Sequence, residues 1–168
     1  MMKNQYFTLF RLPPQFVLDN TQLEQTYRTL AAQFHPDKFA AASSFEQKQA
    51  VMMSATLNEA YRTLKNPVDR AAYLLQQQGI DADAPEHTAF APEFLMQQME
   101  WRETLMDARM ENNRTALEQL AAEITAEQNT LMQNLALSFE QQNFEQAAQQ
   151  VRHGRFLNKL AEEIRISL

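Results

Sequence analysis

The fold is decided by residues 23–39, which read LEQTYRTLAAQFHPDKF. In this stretch apolar side chains recur at i, i+4, i+7 and i+11, a spacing that places them on one face of an α-helix. These side chains are Leu23, Tyr27, Leu30 and Phe34. Pro36 disfavours helical backbone angles at His35, the residue before it. We therefore predict a helix with one buried face, followed at His35 by a loop.

The first 24 residues predict a short helix and the start of the helix that leads to His35. A short apolar helix is expected around Tyr6, Leu9 and Phe10, and Pro13 and Pro14 would end it because proline lacks an N–H group. The helix that leads to His35 begins within residues 19–24, where two capping boxes overlap, Asp19 with Gln22 and Thr21 with Glu24.

The residues after the loop predict a second long helix and a short third one. Ser43 and Glu46 form a capping box. The apolar positions that follow share the helical period and are Ala50, Met53, Leu57, Ala60 and Leu64. Asn66 and Pro67 have the residue types of an N-cap and a first helical residue, here for a short helix over residues 68–75. The result is an antiparallel pair of helices with short flanking helices.

The second half of the chain predicts three long helices. Residues 76–88 contain Gly79, Pro85 and two aspartates without a sustained period, which is typical of a linker. Helical stretches then run from Glu93 to about 111, from 114 to 142 and from 144 to the end, separated by Asn112-Asn113 and Asn143. A three-helix bundle is the simplest way to pack them. We therefore predict an all-α protein with a first domain at 1–76, a linker at 77–88 and a bundle at 89–168.

Composition and charge exclude several classes of function. The chain has no cysteine, so it offers no thiolate for a metal or an iron-sulfur cluster, and we expect no metal and no bound cofactor. Residues 1–76 carry 8 basic and 6 acidic side chains, whereas residues 77–168 carry 7 and 15. An acidic second half argues against a nucleic-acid partner, because phosphate binding needs basic surface.

The sequence shows no pattern typical of an enzyme. We find no nucleophile paired with a base, no phosphate-binding loop and no paired carboxylates, so we expect no enzymatic activity. Without a signal peptide or a long apolar run, we expect a cytoplasmic protein with no membrane partner.

The context of His35-Pro36-Asp37 carries a family resemblance. The tripeptide is continued by Lys38-Phe39, and the next helix contains LNEAYRTL at residues 57–64, followed by Asn66-Pro67 and RAAY at 70–73. This string resembles a J-domain over about residues 4–76. The resemblance implies that the chain stimulates ATP hydrolysis by a heat-shock chaperone of the DnaK class.

The residues of the loop suit that implied task. Pro36 stiffens the loop, Asp37 offers a carboxylate to an arginine of the partner, and His35 can pack and donate a hydrogen bond. J-domains usually carry several bases on the helix before the tripeptide, but residues 21–34 contain only Arg28, with Lys38 as the nearest supplement. This departure favours a dedicated chaperone over a general one.

Nearly the full length of the chain resembles the HscB family of iron-sulfur co-chaperones. The matching strings are YFTLF at residues 6–10, YLL at 73–75, FLM at 94–96 and RFLNKL at 155–160. The resemblance implies two partners: an HscA-type chaperone for the J-domain and the iron-sulfur scaffold protein IscU for the bundle.

The first helix of the bundle shows two apolar faces. Steps of about 100° per residue place Phe94, Trp101, Leu105 and Ala108 near one line, which we expect to be buried. A second line contains Leu95, Met99, Met106 and Met110, with Met96 beside it and Glu100, Glu103 and Asp107 at its border. We predict that the scaffold binds Leu95, Met96, Met99, Glu100, Glu103 and Phe156. Core and docking roles stay open for Met106, Met110 and Phe156.

Two other functions remain as alternatives. The methionine-rich surface could hold unfolded clients for a general DnaK-class chaperone. The bundle could instead be an oligomerisation module, although we expect a monomer in solution. His87 and His153 have no partners at the spacing of metal ligands, so we assign both as solvent-facing or structural.

Overall fold

The helices of the computed structural model follow the predicted order along the chain. The structure describes residues 3–84 and 90–168, so the prediction for His87 lies outside the described residues. The helices are α1 (Gln5–Leu9), α2 (Asn20–Gln33), a 3₁₀ turn (Pro36–Phe39), α3 (Ser44–Lys65), α4 (Pro67–Gln77), α5 (Pro92–Met110), α6 (Arg114–Glu140) and α7 (Phe144–Ser167). Over the described residues all regular structure is helical, which confirms the all-α prediction. No helix among them is long and apolar enough to cross a membrane.

The chain divides into two compact units, Met1–Gly79 and Ile80–Leu168. Helix α4 extends through Gln77, one residue into the segment predicted as linker, and Gly79 follows with a positive φ of 81°. The later part of that segment packs on the second unit. Ala82 is buried, and both oxygens of Asp83 accept hydrogen bonds from Arg155 of α7 at 3.1 Å.

The first unit contains the antiparallel pair α2 and α3. The face of α2 is less buried than its spacing predicted: Leu23 is buried, whereas Tyr27, Leu30 and Phe34 are only half-buried. The reason is that α2 packs mainly against one neighbour, α3, so part of its apolar face stays at the surface. Tyr27 packs its ring on Tyr61 with centroids 4.0 Å apart and donates a 2.6 Å hydrogen bond from its hydroxyl to Asn58.

The core of the first unit lies where α1 and α4 meet α3. Phe7 and Phe10 are fully buried, and Tyr6 stacks on Tyr73 with centroids 4.6 Å apart. Helix α1 ends at Leu9, before the two prolines, because Arg11 adopts a left-handed conformation with φ 56°.

Arg70 is a charged side chain inside this core. Its Nη1 donates a 2.7 Å hydrogen bond to the Leu64 carbonyl, and its guanidinium lies 4.9 Å from the centre of the Phe16 ring. Burial lowers the pKa of Arg70 to about 10. The side chain therefore keeps its charge at neutral pH and fixes the end of α3 to the start of α4.

Aspartate, serine and asparagine side chains cap the helices where the sequence predicts. The N-caps of α2, α3 and α4 are Asp19, Ser43 and Asn66, and each accepts a hydrogen bond from a backbone N–H of the first turn. Asn113 and Asn143 do the same for α6 and α7. These caps satisfy N–H groups that have no partner inside a helix, and so they set the helix boundaries.

The second unit is the predicted three-helix bundle. Its buried apolar side chains recur mostly every three or four residues along all three helices. They include Trp101, Leu105, Ala108, Leu117, Leu120, Ile124, Leu135, Val151, Leu157, Leu160 and Ile164. Polar contacts join the same helices: Trp101 donates from Nε1 to Glu123 at 3.0 Å, Gln128 to Asn158 at 2.9 Å, and Arg102 pairs with Glu163.

Candidate functional site

His35, Pro36 and Asp37 form a tight and exposed turn at the end of α2. Proline occupies the first position of the 3₁₀ turn, where the missing N–H costs nothing. His35 has extended backbone angles, and its Nδ1 accepts a 3.2 Å hydrogen bond from the backbone N–H of Asp37. The Lys38 N–H donates to the His35 carbonyl at 3.0 Å. The loop is therefore held in one conformation by its own residues.

The loop presents its charged groups to the outside. The Asp37 side chain is 92% exposed, and its Oδ2 lies 3.6 Å from Nδ1 of His35. Because Nδ1 faces the Asp37 N–H, Nε2 is the ring nitrogen left to contact a partner. Lys38 is also exposed, next to Asp37.

Arg28 stands one and a half turns before the end of α2. It is exposed, and its Nη2 binds Glu24 at 2.7 Å in an i, i+4 pair. Such surface pairs contribute only a few tenths of a kcal/mol, roughly 0.3–0.5. Arg28 can therefore exchange this carboxylate for one on a partner at little cost.

Helix α5 presents an apolar face to solvent in the second unit. Leu95, Met96, Met99, Met106 and Met110 are all exposed, with exposed fractions from 44% for Leu95 to 79% for Met110. Glu100 and Glu103 are exposed beside them. Trp101, Leu105 and Ala108 are buried on the opposite side, as predicted, and Phe94 is half-buried. We call the five exposed apolar side chains the α5 face.

The position of Met106 and Met110, which the sequence left open, is at the surface. Both side chains lie on the α5 face with Leu95 and Met99 and are not part of the bundle core. Bundle packing accounts for one apolar side of α5 only, because α5 packs there against α6 and, through Phe94 and Trp101, against Phe156 of α7.

Phe156 lies at the edge of the α5 face and is half-buried. Its ring packs edge-on against Phe94, with centroids 5.9 Å apart, and near-parallel to Trp101 at 6.2 Å. The Arg102 guanidinium lies 5.4 Å from the ring centre. Arg102 follows Leu95 by seven residues and shares its side of the helix. Phe156 therefore joins the core to the border of the exposed face.

The stacking of His153 on Phe94 is a contact that the sequence analysis missed. The two ring centroids are 3.4 Å apart with an interplanar angle of 11°. Burial, and secondly the positive charge of Arg152, lowers the pKa of His153. Of the two predicted roles of His153, solvent-facing or structural, the stacking supports the structural one. The signal that could have revealed the contact is the spacing of three residues from Phe156, which places both rings on one side of α7.

The described residues contain no arrangement typical of a metal site. In residues 3–84 and 90–168, no group of three or more His, Asp or Glu side chains converges in a way that could hold an ion. The groups with functional geometry are the loop of the first unit and the α5 face of the second. Both are exposed surfaces suited to protein partners.

A helical hairpin that ends in an exposed His-Pro-Asp turn defines the class of J-domain co-chaperones. A DnaJ-domain family model matches residues 5–73. A second family model, described as the HSCB C-terminal oligomerisation domain, matches residues 90–165. The two matches follow one another along the chain and fall in the two units.

Similar proteins narrow the class to one family. The co-chaperone protein HscB homolog of Neisseria meningitidis serogroup B is 68% identical over 165 residues, which are 98% of this chain and 99% of that protein. The structure of chaperone HscB from Vibrio cholerae superposes with a TM-score of 0.84 at 40% identity, covering 96% of this chain and 95% of the other. Human co-chaperone HscB gives a TM-score of 0.88 at 31% identity, with 96% and 80% covered. The chain belongs to the HscB family of J-domain co-chaperones, which work with DnaK-class chaperones in iron-sulfur cluster assembly.

Proposed function

We propose that this co-chaperone holds an IscU-type scaffold protein on its second unit and brings it to a dedicated HscA-type chaperone, whose ATP hydrolysis the His35–Asp37 loop stimulates. The observation that carries the proposal is the α5 face. It is an exposed apolar surface in a unit separate from the loop, so one molecule can bind both partners.

The chemistry of the α5 face favours a folded, basic partner. Methionine and leucine side chains adapt to an apolar surface, and a contiguous exposed patch of them is unusual on a protein without a partner. Glu100 and Glu103 stand at its border and can pair with lysine or arginine at the rim of an interface, where charges improve specificity and association rate. Phe156 supplies an aromatic ring beside Arg102, whose guanidinium lies 5.4 Å from the ring centre.

The sparse charge on α2 favours a dedicated chaperone. Asp37 is the exposed carboxylate of the loop, and an arginine of the chaperone can bind it with two parallel hydrogen bonds. Arg28 and Lys38 are the bases near it. Because α2 carries few charges that could attract a chaperone over a distance, binding of the chaperone depends more on the local fit of the two surfaces. This is expected for a co-chaperone with one constant partner.

Chaperone ATPase measurements test the role of the loop. Asp37→Ala removes the exposed carboxylate and leaves the helices unchanged, so we expect stimulation by co-chaperone and scaffold together to fall at least about tenfold, the effect of losing one charged hydrogen bond. Glu59→Ala is the matched control, because it removes an exposed carboxylate from α3 and should stimulate like wild type. Full stimulation by the Asp37 variant would refute the proposed trigger.

Titration calorimetry against folded scaffold tests the α5 face. We expect saturable one-to-one binding, weakened roughly fivefold to tenfold by either Leu95→Ala or Met99→Ala, since each removes about 1 kcal/mol of apolar burial. Met132→Ala on α6 is the control, an exposed methionine of the same unit outside the face. Circular dichroism should show equal helix content in all variants.

The same titration separates the alternative functions. Equal affinity for denatured proteins would favour the holding of unfolded clients for a general DnaK-class chaperone. Sedimentation of the co-chaperone alone should show a monomer. A dimer that the Leu95 and Met99 substitutions dissociate would make the bundle an oligomerisation module.

A further inference from the structure

An apolar cleft opens in the first unit beside the His-Pro-Asp loop. It has a volume of about 540 Å³ and is lined by Phe34, Phe39, Phe45, Glu46, Gln49, Ala50, Met52 and Met53. Six of these eight side chains are apolar. Phe34 directly precedes His35, and Phe39 directly follows Lys38, so two walls of the cleft are the residues on either side of the loop.

The rim of the cleft is an exposed apolar ridge on α3. Phe45 is 68% exposed and Met52 is 70% exposed. They are seven residues apart, with Gln49 between them at i+4, and this spacing places all three on one side of the helix. Phe45 and Met52 are not needed for the core of the unit, because other residues of α3, such as Ala50 and Leu57, face inward. Their apolar surface is therefore left in contact with water.

Hydrogen bonds from α3 hold the walls of the cleft in place. The Ser54 hydroxyl donates to the Phe34 carbonyl at 3.0 Å, which fixes the end of α2. The Gln47 amide donates to the carbonyls of Ala40 at 3.1 Å and Ala42 at 3.3 Å, which fixes the chain after Phe39. The cleft is therefore formed before any partner arrives, and a partner loses no binding energy in ordering it.

We propose that this cleft receives two or three apolar side chains of the same chaperone molecule that binds the His-Pro-Asp loop. The inference rests on the proposed function and adds a second contact to it. Because Phe34 and Phe39 line the cleft and also flank the loop, a protein surface that binds the loop is close enough to reach the cleft. The cleft then adds affinity by burying Phe45 and Met52, while the loop supplies the signal for ATP hydrolysis.

The lining favours protein side chains over a small molecule. A volume of about 540 Å³ would suit a small ligand. Such sites also contain a few convergent polar groups that orient the ligand, however, and here Glu46 and Gln49 stand on the exposed surface of α3. A second copy of this chain could also cover an apolar ridge, and sedimentation of the co-chaperone alone detects such self-association.

The test is a titration of chaperone ATPase with the double variant Phe45→Gln/Met52→Gln. Glutamine keeps the helix propensity of the site and removes its apolar surface. The assay uses a purified HscA-type chaperone and, in parallel, a DnaK-type chaperone. We expect the co-chaperone concentration that gives half-maximal stimulation to rise about tenfold or more, while the maximal rate stays within a factor of two. Tenfold corresponds to about 1.4 kcal/mol of binding free energy.

Two controls make the result specific to the cleft. Val51→Gln changes an exposed apolar side chain of the same helix that does not line the cleft, and it should leave both parameters unchanged. Circular dichroism and thermal unfolding should show that the double variant folds like wild type. If it does not, the single variant Met52→Gln replaces it, with an expected increase of roughly threefold.

The outcomes distinguish this inference from the proposed function. If the double variant shows wild-type half-maximal stimulation with both chaperones, the cleft does not contact the chaperone, even when Asp37→Ala abolishes the response. If Asp37→Ala stimulates fully, the proposed function fails instead. If wild-type protein self-associates in sedimentation and the double variant does not, the occupant is a second copy and the inference is wrong.

Discussion

At the scale of single residues, protonation of His153 links the stability of the bundle to pH. Its imidazole stacks on Phe94 at 3.4 Å, and the Phe90 ring lies at 5.7 Å. Burial and then the charge of Arg152 lower the pKa of His153 from its usual 6.5. The unfolded chain therefore binds a proton at this residue more readily than the folded chain does.

This difference predicts a loss of stability in mild acid. Because the pKa is lower in the folded state, the free energy of unfolding falls as the pH decreases through 6.5 toward the folded pKa, and is constant above it. His153→Phe keeps an aromatic ring in the stack and removes the proton site. We expect urea denaturation to show a smaller loss between pH 7.5 and 5.5 for this variant than for wild type. Equal losses would contradict the expectation.

At the scale of elements, two turns of the bundle end their helices in the same way. Asn112 and Gln142 adopt left-handed angles, with φ of 50° and 57°. The next residue then donates its N–H back into the helix, Asn113 to Ala108 at 2.9 Å and Asn143 to Ser138 at 2.8 Å. Glycine is the usual residue in this position, since a side chain is strained there.

The second of these turns predicts a stabilising substitution. Gln142→Gly removes the strain of a left-handed side chain and should raise the free energy of unfolding by about 0.5–1 kcal/mol, after subtraction of glycine's larger conformational entropy in the unfolded chain. Gln141→Gly is the control: this neighbour has φ −83°, so glycine there should be destabilising. Chemical denaturation measures both changes, and a less stable Gln142 variant would contradict the argument.

The length of the α5 face predicts a graded effect on scaffold binding. Met106 and Met110 continue the line of Leu95 and Met99 toward the C-terminal end of α5, and both are exposed. We expect Met106→Gln to weaken scaffold binding about threefold, less than Leu95→Ala, because Met106 lies outside the residues predicted to bind the scaffold and so at the margin of that interface, where side chains contribute less. Thr104→Gln, an exposed position on another side of α5, should bind like wild type in the same calorimetric titration.

At the scale of the whole molecule, the two functional surfaces belong to units that differ in charge. Residues 1–76 have 8 basic and 6 acidic side chains, and residues 77–168 have 7 and 15. This difference in charge is consistent with the proposal that the loop and the α5 face bind different partners and that one chain connects them as an adaptor.

If the two units are separated, we expect each to keep binding its own partner, but scaffold binding should no longer assist stimulation of the chaperone. Fragments 1–79 and 80–168 follow the boundary between the compact units, and circular dichroism would first show that each is helical. We expect the first fragment to stimulate the chaperone only at about hundredfold higher concentration when scaffold is present, because covalent linkage supplies a high local concentration. A mixture of fragments that matches the intact chain would show that linkage is unnecessary.

Much of the fold followed from local patterns because its determinants are local. Asp19, Ser43 and Asn66 cap helices within three residues of themselves, and the breaks at Asn112 and Asn143 follow from the same chemistry. The loop at His35-Pro36-Asp37 was equally readable, because proline restricts its neighbours wherever it stands. These features determined the order of the helices. The class of protein followed from the resemblance of residues 4–76 to a J-domain, and the two faces of α5 followed from its helical period.

Only the tertiary structure decided how deeply each face is buried, because burial depends on how many neighbours a helix has. The stripe on α2 proved half-exposed since α3 is its main neighbour. Met106 and Met110 proved exposed since α5 packs against α6, its main neighbour in the bundle, with the opposite side. The stacking of His153 on Phe94 and the cleft between Phe34 and Met52 join residues 18 or more positions apart in the sequence. The helical period determines on which side of its own helix each side chain lies. Only the packing of the helices determines which neighbour, if any, covers that side.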